Sequence, residues 1–384
     1  MYNTNPPGVP VLNQGKFIPI AKPLIGDEEL NAVSRVLRSG MLAQGSEVES
    51  LENEFAEYVG VDHAVAVANG TVALDLILKA YKITRGDEVI TTPFSFIATS
   101  NSILYQGARP IFADIDPNTY TIDPEKVLEL VTPRTKAIIA VHLYGHPAEI
   151  KPLRDIAEDH GLVLIEDAAQ AHGAMYKGTR TGSLGDSAAF SFYATKNMTC
   201  GEGGMVTTND RRIAEKIKLL RNHGQQSKYF HVELGYNLRM TNIQAAIARV
   251  QLKKLDTMNE ARRRNAALLT RFLASIKSIK LPEESPWAFH VYHQYVIRVK
   301  PPFSRDKLKE FLELKGIQTA VHYPMVIPDQ PLYKKLGIKC PKECPEARKA
   351  ASEVLSLPVH PSLSNEDIKY IADSLFTLFD GGLL

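Results

Sequence analysis

Leu162-Val163-Leu164-Ile165-Glu166-Asp167-Ala168-Ala169-Gln170-Ala171-His172-Gly173 joins an unbroken apolar run to two adjacent carboxylates and a turn of small residues. A run this short, preceded by Gly161 and closed by acids, reads as a strand buried on both faces. Ligands of open α/β sheets bind beyond the carboxyl ends of the strands. Glu166 and Asp167 therefore stand where a carboxylate can meet a ligand cation. A solvated strand end or a helix N-cap uses the same residue types, so the segment needs support from the rest of the chain.

Outward from it, the same signal repeats. Short apolar runs at Ala64–Ala68, Glu88–Thr92, Pro110–Ala113, Ala137–His142, Ala188–Phe192 and Met205–Thr208 alternate with helix-length amphipathic stretches such as Val72–Lys79 and Ile150–His160. With Leu162–Glu166 this makes seven strands, and the alternation predicts an α/β fold with a mostly parallel sheet between helices. Before the first strand, Asp27–Val59 has helical periodicity broken at Ser39-Gly40 and Gln44-Gly45. From Asn242 a long helix runs through Arg263 and beyond, out of the sheet region. The remainder mixes a strand at Tyr292–Arg298 with helices at Lys307–Lys315 and Asn365–Phe376. The expected organisation is a disordered N-terminus over 1–15, a large α/β domain over 16–255, and a long connecting helix with a smaller C-terminal α+β domain over 256–384. Two domains suit 384 residues at about 150 residues each.

Two further segments carry chemistry. Ser191-Phe192-Tyr193-Ala194-Thr195-Lys196-Asn197 follows an apolar strand and precedes Gly201, Gly203 and Gly204. A lysine after a strand is usually a surface charge. One enclosed by apolar and glycine-rich chain can lose its proton and form Schiff bases, and Ser191 offers a hydroxyl to a phosphate. Ala68-Asn69-Gly70-Thr71-Val72 turns from strand into helix and presents free amides at a helix N-terminus, a ready phosphate site. A phosphate cradle, an aspartate beyond a strand and a lysine 29 residues further on fit pyridoxal 5′-phosphate (PLP), which needs a lysine and a carboxylate partner for its ring nitrogen.

Other classes lack their signatures. Gly201-Glu202-Gly203-Gly204 does not complete G-x-G-x-x-G, because Val206 occupies the last position; P-loop, H-E-x-x-H and G-x-S-x-G patterns do not occur. A net charge of +2 gives no electrostatic reason to expect nucleic acid or an acidic membrane. No basic n-region with an apolar run opens the chain, and no 18-residue apolar stretch occurs. Cys200, Cys340 and Cys344 read as reduced thiols of a cytoplasmic protein, with no ligand set for a metal.

On these motifs the chain resembles the PLP-dependent sugar-nucleotide aminotransferases of the DegT/StrS family, which have the aspartate-aminotransferase (type I) fold. The resemblance runs from Ile18 to about Leu375. It takes in Pro23-Leu24-Ile25-Gly26, Ser39-Gly40-Met41-Leu42, Asn69-Gly70-Thr71, Glu166–Gly173, Ser191–Gly204, Arg221-Asn222-His223-Gly224 and Gly235-Tyr236-Asn237-Leu238-Arg239-Met240. It implies that Lys196 carries the cofactor as a Schiff base and moves the proton, and that Asp167 pairs with the ring nitrogen. Gln170 would bond the ring oxygen and Phe96 stack on the ring. Gly70, Thr71 and Ser191 would hold the phosphate. Asn237 would reach the partner subunit's cofactor in a homodimer, with Arg239 supporting that interface. The implied reaction takes an amino group from an amino acid, L-glutamate by resemblance, to a UDP- or dTDP-linked 3- or 4-keto sugar, with ping-pong kinetics.

The sequence departs from the family pattern in two places. Asn69 stands where serine is usual, and Val326 and Pro328 stand where a proline and a histidine are often found, beside a retained His322-Tyr323-Pro324 and Gln330-Pro331. Two rivals stay open at this point. One is a type I PLP aminotransferase acting on amino and keto acids, with Arg298 or Arg348 as carboxylate ligand. The other is a PLP-binding regulatory protein without turnover. His142, His146, His172, Tyr193 and His223 read more readily as structural than as ligand contacts.

Overall fold

Two packed bodies flank one long helix and share a core in which Phe94, Phe112 and Val141 meet Val296, Ala347 and Val354. A computed structural model describes residues 16–380; the expectation of a disordered segment over 1–15 falls outside them. The first body is a seven-stranded sheet of β1 (His63–Val67), β2 (Glu88–Thr91), β3 (Arg109–Phe112), β4 (Thr135–Val141), β5 (Val163–Asp167), β6 (Ser187–Ser191) and β7 (Gly204–Thr208), in the order β1-β7-β6-β5-β4-β2-β3. The β3-β2-β4-β5-β6 ladder is parallel throughout, and β7 runs antiparallel to both β6 and β1. The fold is therefore the mostly parallel α/β architecture read from the apolar runs.

These strands are buried on both faces because helices cover both. Alternation along β4 sends Ala137 and Ile139 to one core, with α3 (Gly70–Ala80) and α6 (Arg211–Arg221), and Ile138 and Ala140 to another, with α5 (Ile150–His160). A third core joins β6 residues Ala188 and Phe190 to α2 (Ser46–Val59) and to the first half of α7 (Asn242–Leu273). α1 (Asp27–Ser39) ends on Gly40 in the left-handed region (φ 71°), which makes the first of the two breaks read from the sequence.

The second body has a three-stranded sheet of β8 (Ile279–Lys280), β9 (Tyr295–Val299) and β10 (Val354–Leu357), with β9 in the middle. The helices α8 (Arg305–Leu314), α9 (Pro345–Glu353) and α10 (Asn365–Asp380) pack around it. The far half of α7, through Ala266, Leu269 and Leu273, belongs to this core. So does Ile18, whose amide donates to Gly316 O at 2.9 Å. Among the described residues no helix is long and apolar enough to cross a membrane.

Candidate active site

Parallel strands present their carboxyl ends along one edge, and the chemistry-bearing residues follow those ends. Gly70 and Thr71 come after β1, Phe96 after β2, Tyr144 after β4, Asp167 and Gln170 at and after β5, and Ser191 and Lys196 at and after β6. The antiparallel β7 brings its first residue, Gly204, between β1 and β6, opposite Val67 and Ser191.

Asp167, the last residue of β5, is 6% exposed. Its Oδ2 accepts from the Thr99 hydroxyl at 2.7 Å, and its Oδ1 from Ala169 N at 3.2 Å. Burial pushes its carboxyl above the usual range; Thr99, the Ala169 amide and the charge of Lys196 oppose that. Lys196 is half-buried and makes no hydrogen bond or ion pair with another described side chain. Burial brings its pKa down to about 8, against the opposing pull of Asp167. An amine of this kind is partly neutral, and so nucleophilic, near physiological pH.

The backbone around Lys196 is clamped by amides. Asn197 Nδ2 donates to Asn259 Oδ1 (2.8 Å) and Val291 O (3.1 Å), and Asn259 Nδ2 donates to His172 O (2.8 Å). This buried clasp ties the lysine loop to the turn after Asp167 and to α7. His172 packs tilted against Phe190 and Phe192, with ring centroids 5.4 and 5.8 Å away, and burial lowers its pKa to about 3, so it is neutral.

Gln170 has a fixed orientation. Its Oε1 accepts from Tyr144 N at 2.7 Å, which leaves Nε2 as a donor, 3.1 Å from the Tyr323 hydroxyl. Phe96 is exposed, with its ring 6.2 Å from that of Tyr323.

The phosphate-side geometry rests on close backbone approach. Asn69 caps α3, its Oδ1 accepting from Val72 N at 3.0 Å. Asparagine caps as well as serine does, which accounts for the departure noted in the sequence. The amides of Gly70 and Thr71 have no acceptor among the described residues. A Cβ at Gly70 would lie 2.8 Å from Ser191 Cβ, and one at Gly204 would lie 2.4 Å from the Asn69 carbonyl carbon. Only glycine lets β1, β6 and β7 converge there. An unpartnered amine, a buried carboxylate and free helix-start amides beside a hydroxyl form a donor set that fits PLP.

Not every predicted residue joins this cluster. Asn237 is exposed, and its Oδ1 accepts from Arg239 Nε at 3.1 Å. Its side chain makes no hydrogen bond to Lys196, Ser191 or Gly70 among the described residues. Beside it, the hairpin Gln225–His231 and the segment after it expose Tyr229, Phe230, Val232 and Leu234.

Glu166, next to Asp167, is wholly buried and committed elsewhere. It accepts from Gly182 N, Leu184 N and Gly185 N and bonds His142 Nε2 at 2.8 Å. His142 Nδ1 accepts from Ala148 N, so Nε2 carries the proton. His142 is thus structural, and so is His146, which is buried and takes the amide of Ser285 on Nε2. Arg298 pairs with Glu353 and Arg348 with Asp329, so both arginines considered as carboxylate ligands are engaged. Val326 and Pro328 are buried, and Ile327 N donates to Pro93 O at 2.8 Å. The apolar pair therefore packs beneath the Phe96 loop. Thr99, Tyr144 and Tyr323 are the site residues that sequence reasoning missed. A hydroxyl four residues after Ser95, at the start of the helix Ala98–Tyr105 (α4), was the only signal for Thr99.

The model of the DegT/DnrJ/EryC1/StrS aminotransferase family matches residues 23–376. A "Pleiotropic regulatory protein" of Geobacillus stearothermophilus is 44% identical, over 96% of this chain and 97% of that protein. The dTDP-3-amino-3,4,6-trideoxy-alpha-D-glucose transaminase of Streptomyces venezuelae is 41% identical, over 90% of each. The solved structure of S. venezuelae DesV in complex with a ketimine intermediate superposes with a TM-score of 0.87 at 41% identity, over 91% of this chain and 93% of that one.

Proposed function

The chain belongs to the DegT/DnrJ/EryC1/StrS aminotransferase family, and on that premise we propose that it moves an amino group from L-glutamate to a nucleoside-diphosphate 3-keto sugar, in a homodimer in the cytoplasm. It is a PLP-dependent aminotransferase. The observation that carries the reading is the convergence of Lys196, Asp167 and the Gly70–Ser191 cradle on one edge of the sheet.

PLP, when bound, supplies the electron sink that makes a proton on the substrate's amine-bearing carbon removable. Lys196 would hold the cofactor through Nζ, and the same nitrogen, as a neutral amine, would be the base that accepts and returns that proton. Asp167 keeps a proton on the ring nitrogen from a buried position where its charge acts at short range. Gln170 Nε2, oriented by the Tyr144 amide, would donate to the ring oxygen. Phe96 would cover a ring face, and Gly70, Thr71 and Ser191 would bind the phosphate at the start of α3. Asn237 serves the partner subunit's phosphate, which agrees with its exposure and with the apolar hairpin beside it.

Arg298 and Arg348 are paired with Glu353 and Asp329, so neither stands free as the carboxylate ligand that an enzyme of amino and keto acids was expected to use, and the choice between the two readings falls to the acceptor. The name of the Geobacillus relative keeps a regulatory role as the second reading. One assay separates the three: purified protein with L-glutamate and a panel of UDP- and dTDP-linked 3-keto and 4-keto sugars. The proposal expects 2-oxoglutarate and the corresponding 3-amino sugar nucleotide in equal amounts. Turnover only with keto acids, or none with any acceptor, contradicts it.

A further inference from the structure

Asp167 accepts a single side-chain hydrogen bond among the described residues, from Thr99 Oγ1 at 2.7 Å. A carboxylate oxygen can only accept, so the Thr99 proton is committed to it and the Thr99 oxygen is left as an acceptor. Ser95 Oγ lies 3.1 Å from that oxygen and also 3.1 Å from Phe96 O. Ser95 and Thr99 are 4% and 1% exposed, so neither hydroxyl can exchange its protein partner for water without local opening. Thr99 lies in the first turn of α4, whose positive end adds to the field at the carboxylate. The other groups around Asp167 are the Lys196 amine, the His142 ring and the Tyr323 phenol. His142 is already spent on Glu166.

We propose that Thr99, backed by Ser95, is the positioning residue that aims Asp167 at the cofactor ring, so that one stretch of chain, Ser95–Thr99, sets both the ring-stacking residue Phe96 and the ring-nitrogen partner. This rests on the role given to Asp167 above. Without the Thr99 hydroxyl, the buried carboxylate loses a donor to its charged form and protonates more readily. It then holds less positive charge on the ring nitrogen, and the nitrogen linking Lys196 to the cofactor keeps its proton to higher pH.

The test uses the full-length protein loaded with PLP, in the Thr99→Val, Thr99→Ser and Ser95→Ala variants. Three quantities are read: the pH midpoint of the visible absorption band, the cofactor dissociation constant, and the rate of the first half-reaction with L-glutamate. In Thr99→Val the midpoint moves up, PLP binds about tenfold more weakly, and the half-reaction slows about ten- to a hundredfold, the range for loss of one charged hydrogen bond. Thr99→Ser restores all three. Ser95→Ala moves the midpoint the same way by less, and it decides the matter if Thr99→Val does not fold. An unchanged midpoint in both Thr99→Val and Ser95→Ala overturns the inference, as does a Thr99→Ser variant that behaves like Thr99→Val. A wild-type protein with no visible band after loading overturns the site reading itself, a distinct failure.

Discussion

Strand β5 ends in two carboxylates that face opposite sides of the sheet and do opposite work. On one side Glu166 accepts from three backbone amides and from His142, and is completely buried. On the other, Asp167 accepts from Thr99 and one amide and sits in the field of an unpaired lysine. Neighbouring residues on a strand alternate faces, so a shift of one position decides which acid is saturated by the fold and which is left to a ligand. Glu166 is saturated by the fold, whereas Asp167 keeps hydrogen-bonding capacity for a ligand.

Breaking the ligand side should have the largest effects on chemistry. Lys196→Ala removes both the attachment point and the proton carrier. Turnover falls below detection, and the purified variant does not retain a visible band. Asp167→Asn keeps the shape and removes the charge; kcat falls on the order of 10³-fold, as for loss of a strong preorganised electrostatic partner, with the melting temperature nearly unchanged. Near-normal turnover in either variant would remove that residue from its role.

The saturated side should break differently. Glu166→Ala leaves three amides and His142 without their acceptor, a loss of about 3–5 kcal/mol in unfolding free energy, the range for opening a buried pair. Urea denaturation measures it. A Glu166→Ala protein as stable as wild type would mean that the loop Gly182–Gly185 does not depend on this carboxylate.

The smallest effects sharpen the contrast. The reactive form of Lys196 is the neutral amine, and burial brings its pKa to about 8. The rate at which cofactor-free protein captures PLP should rise about tenfold per pH unit below that value and level off above it. A capture rate flat from pH 6 to 9 would place the amine elsewhere on the titration scale. Gly70→Ala crowds Ser191 and should weaken PLP binding about tenfold, through a small shift of the helix start. Equilibrium titration with PLP reads that change.

How much of this was legible follows from the same physics. The seven sheet strands stand out in the sequence because burial on both faces makes each a short run dominated by apolar residues. Their observed limits lie within two residues of those runs. The two-residue strands Met175–Tyr176, Thr179–Arg180 and Ala288–Phe289 left no such trace, since two residues have no period. Lys196, Asp167 and Gln170 could be singled out in the sequence because they follow strands in recognisable motifs. Thr99 and Tyr323 were not, because their link to the site is spatial. Tyr323 meets Gln170 across 153 residues, and a threonine in a helix's first turn looks like any other cap. The difference between Glu166 and Asp167 was likewise hidden, since the amides that saturate Glu166 lie 16 to 19 residues away in a loop whose path the sequence does not display.

The central claim is that Lys196 holds PLP at the open end of β5 and β6. Its most direct test is the visible spectrum of the purified protein before and after L-glutamate, followed by borohydride reduction and peptide mapping. A yellow band that bleaches with glutamate, and a reduced cofactor adduct found on Lys196, is the predicted result. No band after loading with PLP, or an adduct on a different lysine, would contradict the account.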